Sequence, residues 1–599
     1  MRKILAFLAF VSLAAGSLSA AEIMPLSDVH KGMKGYGVTV FEGDRLEKFD
    51  VEILGVLNKV GPQQDLILAR VDHAVLRSAG VIAGMSGSPI YIDGKIVGAL
   101  AYAWDFAKDP IAGITPIEQM LTIGKRAEGA VTPPNRGSGA AFLNQLIQRD
   151  PRALSASLES LISAPRGVMA TGATQIATPV SFSGFGADTI ARFGKALDAS
   201  GLMAVPSGTS GSGSNGQKVV DGTFREGDAI AAVLVSGDLS VAATGTVTYV
   251  NGKNVYAFGH PFLDMGQISF PMAKADIVTV LPNLARSFKF SNSGAIIGAV
   301  QQDRASGIMG VLGAKAETIP VDVTVDDAHA PQLSHFEIVR QPQMFPLLLS
   351  MVADSIVARS ERAAGERTVL LDSEIDVRGM KPIRLRDAWA GAEARQSIPA
   401  YLGLVSSYLL SNEFSDARID RVKITLRHDD GVKTAKLLEA SADTPEDGEF
   451  NPGDIVHVRT TLKPYRGEAF QESFDVRIPQ TMKQGKAYLF IGSGSMMNRL
   501  DFSLIPPDPR SLSQVIGVIE RLRSSNDLTV GLYSSSEGAV TAGVYRPDLP
   551  PSVHAIVNND SSNSAQASVR FHAPDHQSRP LDFVVDGAVK IDVDVKSKL

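Results

Sequence analysis

The chain has 599 residues, a net charge of −6, 44% hydrophobic and 20% charged residues, and no cysteine. That length exceeds what one hydrophobic core serves and implies about three or four domains. The charge balance, without a basic cluster, excludes nucleic acid or an anionic membrane surface as main partner, and the missing thiols exclude cysteine nucleophiles, thiolate metal sites and a lipidated cysteine.

The opening MRKILAFLAFVSLAAGSLSAAE reads as a secretory signal. Arg2 and Lys3 are its positive start, Ile4 to Ala15 its apolar run and Ser19-Ala20-Ala21 its cleavage site, so the mature chain is expected to begin at Glu22. The run is too short to span a bilayer, and no later segment offers about 20 uninterrupted apolar residues, so no transmembrane segment is expected in the mature chain. An exported chain without disulfides is expected in a bacterial periplasm or outside the cell, held by its cores. The C-terminal Ser-Lys-Leu reads as a peroxisomal address, a reading that the secretory signal outranks.

From Val38 to Tyr102 short β-branched runs alternate with turn residues, and Asp93-Gly94 is a two-residue hairpin signal. The unit closes on TPIEQMLTIG, where Thr115 reads as a helix N-cap, Pro116 as the first helical residue and Glu118 as a capping-box partner. Between 136 and 205 lie two helix-like stretches, AAFLNQLIQRD and SLESLISA. In PSGTSGSGSNGQK the spacing Gly211-x-Gly213-x-x-Gly216 imitates a dinucleotide motif, but no strand leads in and no helix leads out, so it reads as a linker.

A second β-rich unit runs from Asp228 to Val325, with Asn251-Gly252 as its hairpin turn and Gly259-His260-Pro261 after the returning strand. Beyond residue 330 spaced strands with polar joints point to a β-sandwich, with helices near 345–364 and 397–411. FPLLLSMVADSIVA, interrupted by Asp354, reads as a buried helix. The last ninety or so residues begin with the helix SLSQVIGVIERLR and continue as mixed short strands.

Chemistry concentrates at two turns. Acyl transfer at a serine needs a base for the hydroxyl proton, a group that orients the base, and donors aimed at the developing oxyanion. In Gly84-Met85-Ser86-Gly87-Ser88-Pro89, Ser86 is the candidate nucleophile, and Gly84 permits the backbone bend that points the Gly84 and Ser86 N–H groups at one oxygen. Gly87 would let a substrate approach, and Met85 has no assigned role. A plain structural bend is the competing reading, because Gly/Ser/Pro turns before strands are common. His260 tips the balance: of ten histidines it sits at a strand end inside a Gly-His-Pro turn of a second β unit. Asp72, fourteen positions before Ser86, is the preferred orienting carboxylate, although it also reads as N-cap of a short helix over His73 to Ser78. Asp264, four residues after His260, is the alternative acid.

KFDVEILGV, GVIAGMSGSPIYIDGKIVGALAYAW and GITPIEQML, together with GTVTYVNGKNVYAFGHPFLDMG and SGIMGVLG, resemble the stage IV sporulation protein B (SpoIVB) type serine peptidases of the chymotrypsin-like clan. The resemblance implies a mainly β fold: a chymotrypsin-like double β-barrel followed by a β-sandwich-like region with inserted helices. The family nucleophile falls on Ser86, its base on His260 and its acid on Asp72. The serine block precedes the histidine block here, the reverse of the family order, which implies a permuted arrangement; chain order does not constrain triad geometry. No PDZ-like segment is recognised.

The expected division is a signal at 1–21, a serine-bearing barrel half at 22–135 and a helical segment with linker at 136–216. A histidine-bearing barrel half follows at 217–330, a sandwich-like region at 331–505 and a mixed region at 506–599. The expected activity is limited, regulatory proteolysis of a protein or peptide substrate, including self-cleavage, without cofactor or metal, and with an envelope partner for the C-terminal β domains. The alternative is a non-catalytic envelope or surface binding protein on a degenerate peptidase fold.

Overall fold

The computed structural model describes residues 21–61, 64–104, 107–125, 139–149, 172–207, 222–326, 331–361, 367–541, 544–546, 549–553, 555 and 566–596. The signal apart from Ala21, the stretch at 157–164 and the Gly211–Gly216 spacing lie outside them.

The first sheet contains β1 (Lys34–Val40), β2 (Leu46–Gly61), β3 (Gln64–Asp72), β4 (Pro89–Ile92), β5 (Lys95–Ala103), β6 (Ile111–Pro116) and a two-residue β7 (Thr174–Gln175). Its order, β4-β1-β2-β3-β6-β5-β7 with β4 also paired to β5, closes six strands into an antiparallel barrel. Asp93 and Gly94 both take positive φ (49° and 79°), as a tight hairpin of this handedness demands. Phe49, Val51, Ile53, Ile67, Ala69, Val71, and Ile90 from across the ring, fill the interior, which fits alternation along strands of a closed sheet.

β8 (Thr178–Ser183) and β9 (Leu202–Ser207) lead into a second barrel, made of β10 (Ala229–Gly237), β11 (Ser240–Asn251), β12 (Asn254–Ala257), β13 (Gly266–Leu281), β14 (Phe288–Arg304) and β15 (Gly307–Leu312). These pair in the ring β10-β13-β14-β15-β12-β11, and β11 returns to β10. Numbered within each barrel, both rings run first-second-third-sixth-fifth-fourth. The protein is mainly β, and its two barrels share one topology.

The second barrel does not end at its own ring. β10 pairs with β13 through Ile230–Ala232 but with β17 (Gln332–Val339) through Val235–Gly237, so one edge serves two neighbours. β16 (Thr318–Asp326), β20 (Ile419–Asp430), β18 (Arg367–Val377) and β19 (Ile383–Ala390) extend that edge into a 13-stranded sheet. Of these strands, β17 to β20 fall in the stretch expected to be sandwich-like from 331 onward, yet they join the second barrel's sheet, because alternation marks a half-buried strand without naming its sheet. The sandwich itself begins at Thr434. A four-stranded and a six-stranded sheet enclose one core, with Val456, Val458 and Leu462 from one meeting Leu489, Ile491 and Val530 from the other. The helices Phe345–Glu361 and Ala394–Leu410 pack together under the large sheet. Buried Asp354 is matched there by Arg192 (2.8 Å) and the Thr189 hydroxyl (2.5 Å). Among the described residues no helix is long and apolar enough to cross a membrane.

Lys289 is a buried cation in the joint between the barrels. Its Nζ donates to Thr39 Oγ1 (2.8 Å), its stem lies against Gly84, and burial pushes its pKa down to about 7. From about pH 7 up to 10.5 the unfolded chain keeps this proton while the folded chain has lost it, so the group makes stability rise with pH across that window. Lys289→Met removes the cost of a buried charge. It is expected to stabilise the fold by about 3 kcal/mol at pH 6, with the gain shrinking toward pH 10. Guanidinium unfolding at the two pH values checks this; a loss of stability at pH 6 contradicts it.

Candidate active site

Ser86 and His260 sit in equivalent places. Each lies in the connection between the third and fourth strands of its own barrel: Ser86 between β3 and β4, His260 between β12 and β13. The two connections come close where the barrels meet: a Cβ added to Gly87 would fall 2.5 Å from Phe258 N, two residues before His260.

The serine turn is held from both sides. Met85 N–H donates to Ile82, Gly87 N–H to Leu100 and Ser88 N–H to Met85, while the Ser88 hydroxyl also donates to the Met85 carbonyl (2.7 Å). Met85, without a role in the sequence reading, is buried in the first barrel's core and anchors the turn. From the second barrel, Thr246 N–H donates to the Ser86 carbonyl (2.8 Å), and the Thr246 and Thr248 hydroxyls donate to the carbonyls of Gly84 (3.0 Å) and Gly87 (2.7 Å). Alternation along β11 puts Thr244, Thr246 and Thr248 on one face; the sequence shows that signal as Thr-Gly-Thr-Val-Thr. Gly84 and Gly87 adopt φ of +93° and +96°, a region that favours glycine. At Gly87 a Cβ would fall 2.0 Å from the Thr246 carbonyl oxygen and 2.5 Å from Phe258 N. The second barrel's backbone therefore fills the space that the sequence reading reserved for substrate. Among the described residues, the Gly84 and Ser86 amides donate to nothing, whereas their neighbours at 85, 87 and 88 are all engaged.

The histidine turn is strained and clamped. Phe258, a buried aromatic residue, has φ of 72°, followed by Gly259 at 71°; a bulky residue in this region is an outlier that its surroundings must impose. Gly259 packs against Ala99 and Ala101 of β5, and the Thr115 hydroxyl donates to its carbonyl (2.6 Å). Thr115 thus serves the histidine turn instead of capping a helix. The cap position falls to Pro116, and Glu118 accepts from Leu26 N–H (3.3 Å). His260 is 2% exposed, and its Nδ1 lies 2.8 Å from the Pro261 carbonyl. A carbonyl only accepts, so the hydrogen sits on Nδ1 and Nε2 keeps its lone pair. Burial pushes the imidazole down to about 4, against the opposing pull of the Pro261 and Ile176 carbonyls.

Among the described residues, Ser86 Oγ and His260 Nε2 are both buried with no hydrogen-bond partner, each other included, although the Ile176 carbonyl lies near enough to the imidazole to act on it. Buried polar atoms are nearly always paired, so a nucleophile and a base left unsatisfied on these two turns mark a site whose polar contacts are incomplete.

Asp72 is not brought to His260. At the end of β3 its carboxylate receives Arg77 through two bonds (2.7 and 2.8 Å), and the guanidinium holds it below the usual carboxylate range. Its side chain is 45% exposed. The helix cap beside it is His73, whose Nδ1 accepts from Val75 N–H (3.3 Å). Asp264 has φ of 53° on the histidine turn, but the hydrogen bond of the ring's Nδ1 goes to Pro261. The carboxylate that reaches this turn is Asp303, which the sequence reading did not select; its one signal is an acid inside the apolar alternation of β14.

A cleft of about 390 Å³ opens beside the site, with Arg77, Ala83, Trp104, Ile176, Leu284 and Arg286 among its walls. Its lining includes neither Ser86 nor His260. The segment through β7 pairs with β5, Ile176 N–H donates to Ala101 (2.9 Å), and the Ile176 carbonyl reaches the His260 ring.

Two closed six-stranded barrels of one topology, with a serine and a histidine on their third-to-fourth connections, define a chymotrypsin-like double-barrel peptidase architecture. The family model of SpoIVB peptidase S55 matches residues 15–121, the stretch that holds the first barrel, so this part of the chain is similar to that family. That match contains Ser86 and Asp72 and ends before the second barrel. Neither a curated protein nor a solved structure matches the chain.

Proposed function

We propose that the protein is an exported serine endopeptidase, acting in the periplasm or outside the cell, with Ser86 as nucleophile and His260 as base. The observation that carries this is the pair of buried atoms without a hydrogen-bond partner among the described residues, Ser86 Oγ and His260 Nε2, on the equivalent connections of the two barrels. In the proposed reaction Oγ attacks a peptide carbonyl as Nε2 takes its proton, and the developing oxyanion accepts from the unengaged Gly84 and Ser86 amides. The imidazolium returns the proton to the departing amine, and water repeats the sequence on the acyl-enzyme. A buried imidazole disfavours the charged form, so the pairing requires the oxyanion donors and the histidine turn to be held rigidly.

Ser86 is 0% exposed, which supports limited, regulatory cleavage, self-cleavage included, over general digestion: a substrate strand reaches the nucleophile only after the buried turn is uncovered. The serine block preceding the histidine block is compatible with the chemistry, because both barrels present the same connection. Asp72, committed to Arg77, has no role in this scheme. The same burial favours a second reading, a non-catalytic envelope binding protein on a peptidase fold. Hydrolysis of quenched-fluorophore casein by the mature chain and by Ser86→Ala separates the two. The peptidase reading expects turnover in the first and none above background in the second; equal rates leave the binding-protein reading.

A further inference from the structure

Asp303 lies near the end of β14, 0% exposed, at the foot of the histidine turn. Its Oδ1 accepts from Phe262 N–H (2.7 Å), and its Oδ2 accepts from Leu263 N–H (2.8 Å) and Met265 N–H (3.1 Å). Pro261 has no N–H to offer, so the carboxylate takes three of the four amides that follow it. The turn does not hold itself. Positive φ at Phe258, Gly259, Asp264 and Gly266 (72°, 71°, 53° and 79°) makes it a strained segment, and such strain persists only where the surroundings over-determine it. Charge-assisted bonds from a buried carboxylate are the strongest restraint available there.

A line of contacts runs from Asp303 through the Phe262 amide to the Pro261 carbonyl, and from that carbonyl to Nδ1 of His260. We propose that Asp303 is the positioning residue of this site: it fixes the Pro261 carbonyl, which in turn sets the tautomer and direction of the His260 ring. A main-chain carbonyl thereby takes the place of a carboxylate on the imidazole, and the negative charge acts one step away. This rests on the peptidase reading of Ser86 and His260.

The charged groups around Asp303 are few. His260 and Asp264 belong to the same turn, and of the two the Asp264 carboxylate acts on it. Arg304 follows it on its own strand and donates to Gln302 (3.0 Å), and its ladder partners Gly266 on β13 and Ile308 on β15 carry no charge. Burial raises its carboxyl to about 6, the Asp264 carboxylate pushes the same way, and the three amides pull against both. On acidification through that value the carboxylate takes a proton, one oxygen becomes a donor, and the clamp on the turn loosens.

The test is the pH profile of casein hydrolysis for the full mature chain, Asp303→Asn and Asp264→Asn. In the wild type the rate is expected to fall as pH drops through about 6. Asp303→Asn is expected to lower the rate at pH 7.5 by about 100-fold, the scale of a misplaced catalytic group, and to lose the limb near pH 6. Asp264→Asn removes an exposed like charge without touching the clamp, so its acid limb is expected to move to lower pH. That variant carries the test if Asp303→Asn fails to fold. An active wild type with an unmoved limb in Asp264→Asn, or an Asp303→Asn variant with wild-type rate and limb, overturns the assignment and leaves the peptidase reading standing. An inert wild type ends both.

Discussion

His260→Gln is expected to lower casein hydrolysis by about 10⁴-fold at neutral pH while the protein keeps its fold. Glutamine approximates the ring's volume and its amide can still donate to the Pro261 carbonyl, so the turn keeps its inner contact (2.8 Å in the wild type). What it loses is the lone pair at Nε2, and a serine hydroxyl without a base is a poor nucleophile. Removal of a base that works as a unit with its nucleophile costs several orders of magnitude, leaving only what the oxyanion donors and binding supply. Steady-state rates with unfolding midpoints for both proteins separate chemistry from folding. A variant within threefold of the wild type contradicts a catalytic role for His260.

Gly87→Ala is expected to have the largest effect on folding of any single methyl added to the chain at the barrel joint. The new Cβ would lie 2.0 Å from the Thr246 carbonyl oxygen and 2.5 Å from Phe258 N, both main-chain atoms of the second barrel, at a φ of +96°. Side chains relieve such clashes by changing rotamer; two backbone strands do not, so the barrels must part. A loss of more than about 4 kcal/mol follows from this kind of strain, seen as a large fall in the unfolding midpoint or as insoluble protein. Gly94→Ala is the control. It also sits at positive φ (79°) but has nothing within 4 Å of the new methyl, so it should cost only about 1–2 kcal/mol. If the two variants unfold together, the steric account of the joint is wrong.

The sequence made the two turns and their hairpins readable because each is local. Asp93-Gly94 and Asn251-Gly252 carry their backbone demands within two residues, and Gly84 and Gly87 announce an unusual φ. The resemblance added the double barrel. Less readable was everything that acts from one barrel on the other. Thr115 follows local capping logic and is diverted by a carbonyl 144 positions away, at Gly259. Asp72 looks like a partner for a histidine because it ends a strand near Ser86, but Arg77, five residues on, is the nearer and stronger claimant. Asp303 is separated from the amides it binds by about 40 residues. No periodicity records such a bond, since a carboxylate clamping main-chain N–H groups leaves no partner side chain to notice. The extended edge of β10 was hidden for a related reason: alternation tells which face of a strand is buried, and pairing with β13 or β17 looks the same from within β10.

The central claim is that Ser86 is a nucleophile activated by His260. The most direct measurement is to treat the mature chain, Ser86→Ala and His260→Gln with a fluorophosphonate probe and locate the adduct by peptide mass spectrometry. The expected result is one adduct, on the peptide containing Ser86, in the wild type and none in either variant. An adduct that forms equally in His260→Gln, or that sits on another serine, contradicts the claim.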